Sequence, residues 1–133
     1  MSEPIVFISH FKVKEGKLND LKQFNQKVTE QIKANKPGTV AFLHYLNEEG
    51  TEFSVIHVFP DADAFDRHSE GAGERAKVAL EHIVQTRREI YGKPSDQALA
   101  MLRPADGSGI AFHVMSQPID GYSFSARPDG GFL

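Results

Sequence analysis

The sequence predicts one α+β domain of the split-βαβ type, with a four-stranded antiparallel sheet and the order βαββαβ. Two observations carry this prediction. Short segments rich in β-branched and aromatic residues, bounded by Gly and Pro, are typical of strands, whereas apolar residues at three- and four-residue spacing between them indicate helices. The 133 residues fit a single domain, with a predicted core over about 4–126 and a tail over 127–133.

Composition excludes several kinds of function. The net charge is −3 and no basic stripe is visible, which argues against a nucleic-acid partner. The chain has no cysteine, so it has neither disulfides nor thiolate chemistry. The first apolar run is too short for a signal peptide or a membrane span, and we expect a cytoplasmic protein that does not bind membranes.

The first strand is predicted at 4–13, with one set of alternating side chains formed by Ile5, Phe7, Ser9, Phe11 and Val13. An amphipathic helix follows, because Leu18, Leu21, Phe24, Val28 and Ile32 recur at helical spacing before the stop at 35–38.

A hairpin is predicted from strands at 39–47 and 52–59, joined by a short glycine-containing turn. If Asn47 pairs with Glu52, His44 lies opposite Val55 and Phe42 lies opposite His57. His44 and His57 then share one face of the sheet as diagonal neighbours.

Asp61 is a plausible N-cap for a short helix, which 71–73 interrupts. A longer helix is predicted over 74–91, with Arg87 and Arg88 near its C-terminal end. A short helical piece at 95–102, a loop at 104–109 and a last strand at 110–117 complete the order. Residues 121–126 are a further segment that can extend the sheet.

Three motifs resemble antibiotic-biosynthesis monooxygenase-like domains. They are the opening strand and turn IVFISHFKVKEGK at 5–17, the step KPGT at 36–39, and HVFPDADAFDRH at 57–68. The resemblance covers roughly residues 4–85, and the stretch 93–109 is longer than such domains usually have. It implies a ferredoxin-like domain that forms a dimeric α/β barrel, a homodimer with a small-molecule pocket between sheet and helices in each subunit.

The resemblance implies two chemistries. Some members are cofactor-independent, quinone-forming oxygenases, and others degrade haem. Haem-degrading members carry an asparagine and a tryptophan where this chain has Ser9 and Phe59, although His82 lies roughly where they carry a haem-ligating histidine. We therefore expect no cofactor, with haem as the less favoured alternative.

Three histidines are the candidate catalytic residues: His44, His57 and His68. Imidazoles in a pocket can accept a proton or orient a phenolic substrate. Half-buried histidines bonded only to backbone or water are the alternative interpretation, and no metal site is expected. The candidate substrate-pocket residues are Ser9, Phe11, Phe42, Phe59, Phe65 and His82. The phenylalanines are first of all core, and an aromatic wall also suits a flat ligand.

Two functions remain open at this stage. One is a cofactor-independent monooxygenase acting on a small aromatic or apolar substrate. The other is a non-catalytic small-molecule-binding or stress-associated dimer of the same fold. A homodimer is expected in both, because helices cannot cover the second apolar face of the sheet.

Overall fold

The computed structural model describes residues 3–36 and 38–122. The strands are β1 (Ile5–Val13), β2 (Ala41–Leu46), β3 (Glu52–Phe59), β4 (Ile83–Tyr91) and β5 (Ala111–Met115), and the helices are α1 (Leu18–Asn35), α2 (Ala62–Ser69), α3 (Ala72–Ala79) and α4 (Asp96–Leu102). The five strands form one sheet in the order β2-β3-β1-β4-β5. In the described part of the chain, no helix is both long and apolar enough to cross a membrane.

The ferredoxin-like α+β fold is therefore confirmed, but the predicted sheet of four antiparallel strands is wrong. β2, β3, β1 and β4 are successive antiparallel neighbours, while β5 runs parallel to β4 and makes the sheet mixed. The segment predicted as the fourth strand is thus a fifth one. Two parallel neighbouring strands need a long crossover connection, and the stretch after β4 provides it. This stretch contains α4, which Ser95 caps and which is the short helix predicted at 95–102.

The predicted helix over 74–91 is also wrong in its second half. The helix α3 ends at Ala79, and Ile83–Tyr91 is a strand paired with β1 on one side and β5 on the other. Apolar residues at both ends of this segment and polar ones in the middle are compatible with a helical stripe. Between two other strands, however, the backbone groups of β4 obtain hydrogen bonds on both edges, and this tertiary pairing overrides the local pattern.

All the helices with buried residues pack on one face of the sheet, and two apolar clusters fill the space between. Phe65 of α2 and Ala98 of α4 pack over Ile5, Phe59 and Ile90. Leu21 of α1 packs over a second cluster, which contains Phe53, Val55 and Ile83. We call this side the helix-covered face and the other side the open face.

The hairpin has the predicted register, since His44 pairs with Val55 and Phe42 with His57. Asp61 caps α2 as predicted, because its carboxylate accepts a hydrogen bond of 2.8 Å from the backbone N–H of Ala64. The hairpin register and the Asp61 cap together bring the end of β3 and the start of α2 close to the middle of β2. Of the segment 121–126, Gly121 and Tyr122 lie in no strand, and 123–126 fall outside the described residues, as does the tail 127–133.

Candidate functional site

Three histidines from three elements lie in a row on the helix-covered face. His44 comes from β2, His57 from β3 and His68 from the last turn of α2. Alternation along the hairpin strands puts the first two on the same side of the sheet, and the cap at Asp61 sets α2 so that His68 faces them. His57 and His68 are each only 8% exposed.

Aromatic rings fill the spaces around these imidazoles. His57 lies edge to face with His68 at a centroid distance of 5.0 Å and is stacked on Phe7 at 5.3 Å. Phe42 is in contact with all three histidines, at 4.4 Å from His44, 5.1 Å from His57 and 5.7 Å from His68. Ring faces and edges arranged in this way are the surface against which a flat apolar ligand packs best.

The tautomer of His57 follows from its single hydrogen bond. Its Nδ1 lies 3.2 Å from the carbonyl oxygen of Phe7, which can only accept, so Nδ1 carries the proton and donates it. In the neutral ring, Nε2 therefore keeps a lone pair. Burial, followed by the charge that His68 can carry, lowers the pKa of His57 to about 3. At neutral pH this residue is an uncharged hydrogen-bond acceptor inside an aromatic cage.

The two flanking histidines are also neutral at pH 7. Burial lowers the pKa of His44 to about 4. The pKa of His68 is lowered to about 4 by burial, followed by the positive charges of Arg75 and Lys36. Nδ1 of His68 shares a hydrogen bond of 3.0 Å with the hydroxyl of Thr39. A positive charge on either His57 or His68 makes protonation of the other less favourable, so the two imidazoles together accept one proton far more easily than two.

Two cavities open onto the ends of this row. One has a volume of about 260 Å³ and lies between α1 and the hairpin, where His44, Phe53 and Lys22 are among its lining residues. The other has a volume of about 300 Å³ and lies where α1, α2 and the segment before β2 meet, with His68 in its wall. Phe42 touches the histidine at each cavity, so its ring stands between them.

None of the predicted pocket residues lines either cavity, and neither does His57. Ser9 is buried on β1 opposite Val55, and the ring of Phe11 packs 5.8 Å from that of Phe53. Phe59 and Phe65 are buried together in the core, with centroids 5.0 Å apart. Phe59 still touches the row, because its ring centroid is 5.0 Å from that of His68.

Comparison with known proteins agrees with this geometry. The family model described as antibiotic biosynthesis monooxygenase matches residues 4–80, which is more than half of the 133 residues. The chain belongs to this family. A search of curated proteins gives no significant match.

Solved structures support the family fold. MupZ from Pseudomonas fluorescens has a TM-score of 0.65 at 20% identity, covering 96% of this chain and 98% of its own. SnoaB from Streptomyces nogalater, a cofactor-independent oxygenase, has a TM-score of 0.58 at 18% identity in a mutant form, covering 71% of this chain and 96% of its own. A conserved protein from Methanosarcina mazei has a TM-score of 0.59 at 17% identity, covering 69% and 93%. At these identities the likeness establishes the fold alone.

His82, which the resemblance puts at a haem-ligating position, lies away from both cavities. His82 lies in the turn after α3 rather than on a helix, its ring centroid is 5.8 Å from that of Phe24, and it lines neither cavity. Its Nδ1 is buried and has no hydrogen-bond partner among the described residues. In the described part of the chain, no group of three or more His, Cys, Asp or Glu side chains is arranged so that it could hold a metal ion.

Sequence reasoning missed a polar chain on the open face. Nδ1 of His10 is 2.9 Å from the hydroxyl of Ser54, and its Nε2 is 3.0 Å from the carboxylate of Glu89. That carboxylate also accepts a hydrogen bond of 2.8 Å from Arg87 and has a lowered pKa, chiefly because of this bond. Alternation along β1 placed His10 on this face, but its partners were hidden because β4 was taken for a helix.

The open face around this polar chain is largely apolar. No helix of the described residues lies over it, and its apolar members come from all five strands: Val6, Ile8, Ala41, Leu43, Tyr45, Ile56, Val58, Val84, Tyr91, Ala111 and Met115. Leu43 is 43% exposed and Tyr45 is 56% exposed. Such a surface is unusual for a sheet face turned to water, where polar residues normally alternate with the buried ones.

Proposed function

We propose that this protein is a cofactor-independent oxygenase that acts on a small aromatic substrate with an acidic C–H or O–H group. The single observation that carries the proposal is the buried, neutral pair His57 and His68 within an aromatic wall. The substrate ring reaches the pair from the cavity that His68 lines, beside Phe42, and the imidazole pair takes the proton. Membership of the family and the fold shared with a cofactor-independent oxygenase support the same assignment.

The proposed chemistry needs no external reductant. Removal of a proton from an activated methylene gives a carbanion that is rich enough in electrons to reduce dioxygen. One oxygen atom ends in the new carbonyl group, and the other leaves as water together with the two methylene hydrogens. The protein contributes the base, the alignment of the ring and the exclusion of bulk water.

The lowered pKa values limit how effective His57 and His68 can be as general bases. General-base catalysis is most effective when the pKa lies near the working pH, whereas His57 and His68 have pKa values of about 3 and about 4. A substrate anion formed beside the rings raises these values by charge attraction. This observation also favours a second candidate function, in which the same pocket holds a metabolite through the free acceptor of His57 without converting it.

The oxygenase proposal is tested by oxygen consumption with anthrone, a tricyclic ketone with an activated methylene, in the presence of a metal chelator. We expect one dioxygen consumed per quinone formed. His57→Gln and His68→Gln are each expected to lower kcat by about tenfold or more, the low end of general-base effects because these bases are weak. Lys27→Gln, an exposed position on α1 that lines neither cavity, is the control and is expected to keep the wild-type rate. Wild-type rates in both pocket variants would exclude the imidazole base.

We also propose that the protein is a homodimer whose two open faces pack together. The apolar members of that face need a cover, and a second copy offers an identical surface by two-fold symmetry. Arg87 and Glu89 lie among them and already pair with each other within the subunit, so the face can be covered without leaving either charge unpaired.

A further inference from the structure

The cavity beside His68 has a charged wall, unlike the apolar row it leads to. Its volume is about 300 Å³. The polar and charged side chains around it are Asn35, Lys36, Thr39, Arg67, His68 and Glu70. The cavity is therefore a place where a polar substituent on an aromatic ligand can be recognised, and the His68 ring in its wall connects it to Phe42 and His57.

The guanidinium of Arg67 is available to a ligand. Within residues 3–36 and 38–122 it makes no hydrogen bond or ion pair with another side chain or the backbone. It lies over the backbone at Gly38, where a Cβ would come within 3.2 Å of its Nη2, so this close position depends on a glycine there. An arginine fork pairs with a carboxylate through two parallel hydrogen bonds, which an ammonium cannot do.

Two further cations surround the same space. The Lys36 side chain is only 18% exposed, and its Nζ donates a hydrogen bond of 2.8 Å to the backbone oxygen of Arg67, which leaves donors free. Arg75 donates to the backbone oxygens of His68 at 2.6 Å and Glu70 at 3.1 Å, and so fixes the end of α2 from behind. The positive charges of Lys36 and Arg75 are those that lower the pKa of His68.

Two features disfavour the binding of an anion in this cavity, and the electrostatic effect of each is weaker than that of the cationic side chains. The Glu70 carboxylate lies 3.7 Å from Nζ of Lys36, but it is 76% exposed and well solvated. The C-terminal ends of α1 and α2 are also close, and each carries about half a negative charge. The whole charges of Lys36, Arg67 and Arg75 exceed this sum, so the field in the cavity is positive.

We infer that this cavity is a subsite for an anionic group, and that the ligand is an aromatic carboxylic acid with its carboxylate against Arg67 and Lys36. The inference rests on the proposed function, since it assigns the substrate class to the same row of rings. A carboxylate there also makes the neighbouring His68 a stronger base, because the negative charge stabilises the imidazolium.

The test compares two probes that differ only in charge, 2-naphthoate and 2-naphthamide, by calorimetric titration. We expect wild-type protein to bind 2-naphthoate about tenfold more tightly, as charge-assisted hydrogen bonds allow. Arg67→Gln and Lys36→Met are each expected to reduce this preference severalfold without changing affinity for 2-naphthamide. Glu70→Gln is expected to increase it. Arg103→Gln is the control, because Arg103 lies over the ring of Phe112 on β5.

A spectroscopic readout separates a specific site from general attraction. In an NMR titration of the histidine rings, 2-naphthoate is expected to raise the pKa of His68, while 2-naphthamide leaves it unchanged. Equal affinity for the two probes, unaltered in Arg67→Gln, would overturn the anion subsite and leave the aromatic pocket intact. Failure of both probes to bind wild-type protein would overturn the pocket, and the proposed function with it.

Discussion

The rings of His57 and His68 meet edge to face, with their centroids 5.0 Å apart, although the two residues belong to a strand and to the helix that follows it. Only the Pro60-Asp61 corner separates β3 from α2. Because the Asp61 cap fixes the first turn of α2, the last turn is directed back over the strand. The two imidazoles are thus held at contact distance by local structure.

Stability is expected to fall in acid because of His57. Its pKa is about 3 in the folded state and 6.5 in the unfolded chain, so below pH 6.5 only the unfolded chain takes up this proton. The contribution of His57 is complete above pH 6.5, and about 1.4 kcal/mol is lost for each pH unit below it until the folded pKa is reached. Urea denaturation at pH 7.5, 6 and 5 should show that the free energy of unfolding falls less steeply with decreasing pH in His57→Phe than in wild type. Val28→Ala, which changes a buried side chain of α1 without removing a titrating group, is the control, and equal slopes in all three proteins would refute the burial argument.

Removal of the Phe42 ring is expected to join the two cavities. The ring is in contact with all three histidines and is half buried, so Phe42→Ala should cost about 2 kcal/mol, less than a fully buried phenylalanine. The joined space should accept the longer of two amide ligands, so the ratio of the affinity for anthracene-2-carboxamide to that for 2-naphthamide should rise, as measured by ligand fluorescence. Phe112→Ala removes another half-buried ring on the same face, on β5, and should leave the ratio unchanged. A ratio unaffected by Phe42→Ala would mean that the ring does not divide the cavities.

A glycine at the end of β4 is expected to tolerate no side chain. Gly92 has φ of +106°, its N–H donates to Met115, and a Cβ there would come within 2.7 Å of the backbone oxygen of Pro4. Gly92→Ala should therefore destabilise the protein by about 2 kcal/mol, through strain and a displaced sheet edge. At Gly73 in α3, a Cβ would meet no atom within 4 Å, so Gly73→Ala should be neutral or stabilising. Thermal denaturation of the two variants compares them directly, and similar losses in both would contradict this account.

The open face is expected to pair with that of a second subunit. Wild-type protein should sediment as a dimer at micromolar concentration, and Leu43→Glu should make it a monomer, because a charge would be buried in the interface. Far-UV circular dichroism should show that the variant remains folded. Leu80→Glu is the matched control, since Leu80 is similarly exposed, at 47%, but lies in the turn after α3. A wild-type monomer would leave the open face without the proposed cover.

Local patterns in the sequence predicted the part of the site that lies on adjacent elements. The short turn at 48–51 predicts a hairpin that places Phe42 against His57 if Asn47 pairs with Glu52, and the structure has this register rather than the one-residue slip. The Asp61 cap was equally predictable, because Asp before an apolar helical run satisfies free backbone N–H groups. The Gly38 position under Arg67 had no such signal, since it depends on how α1 and α2 approach each other.

Contacts within a few residues and the two-residue period of the apolar pattern are enough to predict the alternating faces of β1, the span of α1, the hairpin and the placing of His44 and His57 on one side. Long-range pairing is what makes 83–91 a strand, sets β5 parallel beside it, and brings Arg87 and Glu89 to His10. The reason is physical: a segment with apolar ends and a charged centre has no strong local preference, so its backbone takes the form that the free edges of β1 and β5 can satisfy.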